Sequence, residues 1–262
     1  MSLGVVLVAA GAGTRLGSPG PKALVEVAGR SLLAHAVAGL AAAGLPPAVV
    51  VHAPGQHDAF VASAGGLPVA AWVPGGASRT DSVRAGVAAL PVDVEVVAVH
   101  DAARPLTPPG VMRAAVAAVH GDVLAAAPGL AVADTLKRIT STGGGAGRRG
   151  GDRPNGGAGP SGGDDRAAAL LGEVAGTVDR SDLVGVQTPQ VFPRLVLAAA
   201  LAAADDATDD LALIERLVAA GEFTGRVVVV PGSVWGWKVT QPSDLVLVAA
   251  LAAAGGTDGA TR

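Results

Sequence analysis

A chain of 262 residues, half of them hydrophobic, is long enough for one sizeable core, and with three Phe, three Trp and no Tyr that core must be built from Ala, Val and Leu. The absence of cysteine excludes disulfides, zinc–thiolate sites and thiol catalysis, and a net charge of −3 argues against nucleic-acid binding. No apolar run reaches the roughly eighteen residues of a membrane span, and Met1-Ser2-Leu3 leads into a strand without a basic leader, so a cytoplasmic protein with no membrane contact is expected.

The first predicted element, around Val5 to Val8, reads as a strand buried on both faces, the kind found in parallel sheets. It breaks into Gly11-Ala12-Gly13-Thr14-Arg15-Leu16-Gly17 and closes with Pro21-Lys22. A glycine-rich turn after such a strand brings backbone N–H groups close to an anion, and Arg15 and Lys22 add two fixed positive charges, so a phosphate-rich ligand is expected. Lys22 is not followed by Ser or Thr as a Walker A loop requires, and Leu16 stands where a dinucleotide fingerprint has its third glycine. The next strand ends in His52-Ala53-Pro54 with no carboxylate for a ribose, which disfavours a redox cofactor. Alone, the G-x-G could equally be a structural turn.

Strand and helix signals then alternate: a helix over Ser31–Ala43, a strand over Ala48–Val51, a helix near Asp58–Ala64 and a strand over Val69–Val73. A helix follows over Ser78–Leu90, then a buried strand over Val94–Val99, a helix over Gly110–Val119 and a strand over Val123–Ala127. The rhythm fails between Ser141 and Asp165, where Gly143–Gly163 holds eleven glycines in twenty-one residues and a flexible excursion is expected. A strand over Val174–Val178, helices over Pro193–Ala204 and Asp209–Ala220, a strand over Arg226–Val230 and a helix over Pro242–Ala254 complete the pattern, with Gly255–Arg262 expected to fray. This repetition predicts an α/β fold with a doubly wound, mostly parallel sheet that presents ligands at its C-terminal strand ends.

Five further clusters fall at that edge. Gly75-Gly76-Ala77-Ser78-Arg79-Thr80-Asp81-Ser82 joins a strand to a helix and offers N–H groups and hydroxyls to a base or ribose, although alone it is equally a well-capped helix. His100-Asp101-Ala102-Ala103-Arg104-Pro105 projects a carboxylate from a buried strand, placed to hold Mg²⁺ on a triphosphate or to serve as an ordinary turn residue. His100 reads as packing. Arg180 of Val178-Asp179-Arg180, with Thr188 of Thr188-Pro189-Gln190, suits the phosphate of a second substrate. Thr208-Asp209-Asp210 is a helix start that accepts a phosphate or is a plain cap. In Trp237-Lys238-Val239-Thr240 the last strand is expected to deliver Lys238 to the same edge, and only three lysines (Lys22, Lys137, Lys238) stand beside sixteen arginines, so two of the three fall on the ligand edge.

In this order the motifs resemble the 2-C-methyl-D-erythritol 4-phosphate cytidylyltransferases of non-mevalonate isoprenoid synthesis, over nearly the whole chain except about residues 141–172. The resemblance implies a Rossmann-like nucleotidyltransferase domain over 1–262, with a small extended dimerisation arm at 134–180 that contains the Gly-rich insert at about 141–165. It implies Mg²⁺-dependent transfer of CMP from CTP to methylerythritol phosphate, with release of pyrophosphate. Arg15, Lys22 and Lys238 would face the reacting phosphates, while Ala10, Gly11, Gly13, Gly75, Gly76, Ser82, Asp101 and Ala102 would hold CTP, with Asp101 on the metal. Arg104, Arg180, Thr188 and Thr208 would hold the acceptor, Arg180 reaching across a homodimer into the partner's site. Trp235 stands where many relatives carry an acidic residue, so a polar contact is not expected there. Alternatives are a cytidylyltransferase for another polyol phosphate, such as ribitol phosphate, and a non-catalytic nucleotide-binding paralogue.

Overall fold

The computed structural model describes residues 1–18, 20–140, 172–203, 207 and 209–254. In chain order the elements are β1 (Leu3–Val8), the short hairpin β2 (Glu26–Val27) and β3 (Arg30–Ser31), α1 (Leu32–Ala42), β4 (Ala48–His52), α2 (His57–Ala64), β5 (Val69–Pro74), α3 (Arg79–Ala88), β6 (Val96–Asp101), α4 (Pro109–Ala118) and β7 (Val123–Ala131). They continue with β8 (Lys137–Thr140), β9 (Glu173–Thr177), β10 (Val184–Val186), β11 (Gln190–Pro193), α5 (Arg194–Ala203), α6 (Leu211–Ala219), β12 (Arg226–Pro231) and α7 (Pro242–Ala253). The chain divides into two units, Met1–Leu130 with Gly185–Arg262, and Ala131–Val184.

The first unit is built on an eight-stranded sheet of order β10-β7-β11-β6-β1-β4-β5, with β12 beside β7. Side chains alternate across it with the period of two that strands impose. Val5, Leu7, Val50 and Ala98 face one apolar layer with α1 and α4, whose Leu33, Val37, Leu40 and Met112 are buried. Val6, Val49, Val51, Val97 and Val99 face the other, packed on Val83, Val87, Leu197 and Ile214 of α3, α5 and α6. The aliphatic runs of β1, β4 and β6 are thus buried on both sides. Capping sets the helix starts: Ser31 Oγ accepts from Ala34 N at 3.0 Å, and Ser78 with Asp81 forms a reciprocal capping box.

The sheet is mostly parallel, as the alternation predicts, but β11 runs antiparallel to both β6 and β7. Gln190–Pro193 is four residues long, follows Pro189 and ends in proline, so it offered no period to read. The strand expected at Val94–Val99 is shifted to Val96–Asp101, which makes Asp101 the last residue of β6 and not a residue of the loop beyond it.

The second unit contains the antiparallel pair β8–β9, whose nine residues are all exposed. Lys137 Nζ donates to Thr177 Oγ1 at 2.6 Å, and the Arg180 guanidinium donates to the carbonyls of Val132 and Ala133. The Gly-rich excursion expected over Ser141–Asp165 and the frayed end expected at Gly255–Arg262 lie outside the described residues.

Candidate active site

Beyond the C-terminal ends of β1 and β6 lies a cavity of about 360 Å³. Of the residues expected to hold a nucleotide, Ala10, Gly11, Lys22, Gly76, Ser82, Asp101, Ala102 and Lys238 line it. Gly13, Gly75 and the exposed Arg15 are not part of this lining. Gly13 takes the left-handed φ of +71° from which the loop returns to Lys22, whose N–H donates to Gly11 O at 3.2 Å. A Cβ on Gly75 would fall 2.6 Å from Ala10 Cβ and 2.9 Å from Ser82 Oγ, so glycine there lets the β5–α3 turn press against the loop after β1. Ser82 Oγ accepts from Gly76 N at 3.2 Å and donates to Ser78 O at 2.9 Å, which locks that turn to the first turn of α3.

The charged residues form a cluster organised around Asp101. Lys238 Nζ donates to its Oδ2 at 2.7 Å and Arg79 Nη2 to its Oδ1 at 3.4 Å, while Arg79 Nη1 reaches Asp210 Oδ1 at 2.8 Å. Burial alone would raise the pKa of Asp101, but Lys238 and Arg79 outweigh it and hold the carboxyl well below the usual range. Burial likewise opposes the charge of Arg79, and Asp210 and Asp101 outweigh it, so the guanidinium stays firmly protonated. Asp210 is 1% exposed; burial raises its pKa despite Arg79, and its Oδ2 has no partner among the described residues.

Lys22 joins them from the glycine loop and donates from Nζ to Val239 O, next to Lys238, at 2.9 Å. Burial, then the neighbouring charge of Lys238, bring its pKa down to about 8. The segment carrying Lys238 and Val239 is pinned from several directions. Val239 N donates to Ala103 O at 2.8 Å, and Asp244 Oδ2 accepts from Thr240 N and Oγ1, both at 2.7 Å. Two ammonium groups, one guanidinium and one ionised carboxylate therefore meet beside a backbone-lined cavity, a set suited to holding a polyphosphate.

A family model described as IspD: 2-C-methyl-D-erythritol 4-phosphate cytidylyltransferase matches residues 3–148 and 165–253. The chain belongs to that cytidylyltransferase family. Among its relatives, the 2-C-methyl-D-erythritol 4-phosphate cytidylyltransferase of Saccharopolyspora erythraea is 42% identical over 97% of this chain and 100% of its own length. The Bifunctional enzyme IspD/IspF of Clavibacter michiganensis subsp. michiganensis is 45% identical over 93% of this chain, which spans about half, 52%, of that longer protein. The crystal structure of the 2-C-methyl-D-erythritol 4-phosphate cytidylyltransferase from Thermus thermophilus shares the fold with a TM-score of 0.69 and 30% identity, covering 97% of this chain and 100% of that one.

The acceptor residues that the resemblance to cytidylyltransferases implied are dispersed. Arg104 donates from Nη1 to Gly236 O at 2.7 Å and from Nη2 to Val186 O at 3.2 Å, clamping backbone with both ends of its fork, and its Nε is buried without a partner among the described residues. Thr188 is buried, its hydroxyl bonded to Asp101 N at 3.1 Å and to His100 Nδ1 at 2.9 Å. Arg180 belongs to the second unit, and Thr208 lies outside the described residues. At the start of α6 the N–H groups of Asp210, Leu211, Ala212 and Leu213 are already paired within the protein. Gln190 Oε1 accepts from Asp210 N at 2.9 Å and Leu211 N at 3.3 Å, Asp209 Oδ1 from Ala212 N at 3.1 Å, and Asp210 O from Leu213 N at 3.2 Å.

Sequence reasoning missed Arg79 and Asp210 as members of the charged cluster and Gln190 as the residue that ties α6 to β11. Arg79 sat inside a stretch read for its caps and hydroxyls. Its partners lie 22 and 131 residues away, so no local pattern announced them.

Proposed function

We propose that the chain transfers the cytidylyl group of CTP to 2-C-methyl-D-erythritol 4-phosphate, giving 4-diphosphocytidyl-2-C-methyl-D-erythritol and pyrophosphate for isoprenoid precursor synthesis. The observation that carries this reading is the convergence of Lys22, Lys238, Arg79 and Asp101 on one cavity beside the glycine loop, in a chain of the cytidylyltransferase family. An oxygen of the acceptor phosphate attacks the α-phosphorus of CTP; the new P–O bond forms as the bond to the β-phosphate oxygen breaks, and pyrophosphate leaves with those electrons. The nucleophile is already an anion, so no general base is required, and the protein must neutralise repelling charges and align the two phosphates.

Lys22 commits one of its three N–H groups to Val239 and Lys238 one to Asp101, which leaves two on each for phosphate oxygens. Arg15, exposed on the loop, adds charge at its rim. Asp101 receives one bond on each oxygen and keeps lone-pair capacity, and as the lone carboxylate among the described residues that line the cavity it fits Mg²⁺, which draws most of its ligands from phosphate oxygens and water. When bound there, Mg²⁺ supplies charge neutralisation on the triphosphate.

The reading includes a homodimer in which the second unit is an arm and Arg180 serves the partner's site. Ile139, Val174 and Val184 of that unit are 47%, 65% and 45% exposed, and a lone two-stranded pair is marginal without a surface to cover it. A cytoplasmic setting goes with the nucleotide substrate.

Pyrophosphate release tests the reaction, with CTP, UTP, ATP and GTP each paired with methylerythritol phosphate and ribitol phosphate. Release from CTP with methylerythritol phosphate, and at least about tenfold less from the other pairs, is expected, since a factor of ten corresponds to about 1.4 kcal/mol of discrimination. Faster release with ribitol phosphate, or none with CTP, overturns the reading.

A further inference from the structure

His100 is fully buried on β6, beside Leu7 of β1 in the sheet register. Its Nε2 has no partner among the described residues, so an imidazole here costs more to bury than an aliphatic side chain of similar size. Its Nδ1 lies 2.9 Å from Thr188 Oγ1, and that hydroxyl also accepts from Asp101 N at 3.1 Å. The β6–β11 register pairs Val99 with Gln190, and two residues further it brings Asp101 opposite Thr188. Pro189 between them has no N–H to continue the ladder. There the Thr188 side-chain oxygen stands in for a ladder carbonyl, and His100 is the group that holds that oxygen from its other side.

We propose that His100 is a positioning residue for the transfer reaction: acting through the Thr188 hydroxyl, it fixes the end of β6 and with it the Asp101 carboxylate on which Lys238 and Arg79 are registered. This rests on the function proposed above. His100 lies on the sheet face opposite Asp101 and has no exposure to the cavity, so it touches neither substrate. Its effect is geometric. A hydroxyl bonded at one point can rotate, whereas one held at two points keeps its oxygen facing the Asp101 N–H. A shift of about 1 Å in a group that organises reacting phosphates can lower turnover by about 10²-fold.

The test compares His100→Leu, His100→Asn, His100→Gln and Thr188→Val with the wild type for kcat, for KM of each substrate, for CTP affinity by calorimetry and for thermal midpoint. Asn places an amide atom where Nδ1 stands and supplies a donor or an acceptor; Gln extends to the Nε2 position and does not. His100→Leu is expected to lose about tenfold or more in kcat with CTP affinity within about threefold, and His100→Asn to recover to within about threefold of wild type. The double variant His100→Leu/Thr188→Val should be no worse than the more impaired single, as expected for two residues in one chain of contacts. Wild-type turnover in His100→Leu, equal impairment of Asn and Leu, or additive losses in the double variant would overturn the proposal. Should His100→Leu fail to fold, the Asn–Gln pair decides: Asn active and Gln impaired supports it, and equal activity overturns it. Wild-type pyrophosphate release in the same assay reports separately on the function itself, and the variant ratios are taken on whichever nucleotide and acceptor the wild type turns over.

Discussion

The two walls of the cavity are built on opposite principles. The loop between β1 and Lys22 is largely backbone and largely exposed, with Gly11, Ala12 and Arg15 open to solvent. The wall at the end of β6 is made of side chains paired before any ligand arrives: Asp101 between Lys238 and Arg79, and Arg79 bridged onward to the buried Asp210. An open glycine loop can conform to the shape of a nucleotide. A buried, cross-paired charge cluster cannot move cheaply, so in the function proposed above it would present its field to the reacting phosphates without reorganising. In the function proposed above, the yielding wall would follow the nucleotide's shape and the stiff one would hold a fixed field, with Lys22 adding charge from the loop.

Breaking the stiff wall should cost most. Asp101→Asn leaves Lys238 and Arg79 without their shared anion and is expected to lower kcat by about 10³-fold, with CTP affinity by calorimetry falling far less. A loss under tenfold would show that the cluster does not depend on its central carboxylate. On the yielding wall, Lys22→Ala should keep the fold, seen as an unchanged circular dichroism spectrum, and lose about 10²-fold in kcat; near-wild-type turnover would remove Lys22 from the reaction.

The pH profile sharpens the contrast. Because the pKa of Lys22 lies near 8, below its ordinary value, its charge is present below that pH and is lost as pH rises through it. In the free enzyme, kcat/KM for CTP should therefore fall above about pH 8 by up to about tenfold per unit, and Lys22→Arg should move that limb upward. A flat profile to about pH 9.5 in the wild type would contradict this. The smallest effect on turnover is expected from Gly86→Ala in α3, where a Cβ would fall 2.4 Å from Val6 Cγ1 and 2.9 Å from Val51 Cγ2. Pushing α3 off the sheet should cost about 1–3 kcal/mol in denaturant unfolding and, through Arg79 on its first turn, reduce kcat a few-fold.

What the sequence made legible is what local pattern encodes. Val5–Val8 followed by Gly11 and Gly13 announces a strand and an anion loop within a dozen residues, and Asp101 ends an aliphatic run, so these could be placed at one sheet edge; Lys238, expected to be delivered by the last strand, lies seven residues beyond the end of β12. The salt bridge from Arg79 to Asp210 spans two motifs read separately, and only the tertiary fold, with α5 packed on both α3 and α6, joins them. Thr208-Asp209-Asp210 was legible as a helix start, but which carboxylate caps was not: Asp209 binds Ala212 N, whereas Asp210 turns inward to Arg79. β11 was hidden because Gln190–Pro193 is short and bounded by prolines, and its antiparallel direction interrupts the very alternation from which the fold was read.

The contacts of Lys22 with Val239 and of Lys238 with Asp101 join residues 217 and 137 positions apart. On a ribosome adding about 5–20 residues per second, β1, β4, β5 and β6 are all synthesised well before the lysine that completes the charge cluster. A nascent chain stalled short of residue 238 holds the strands of its central sheet and the glycine loop, yet no finished charge cluster. The charge cluster is therefore complete only once the segment that carries Lys238 and Val239 has returned to meet Asp101 and Lys22.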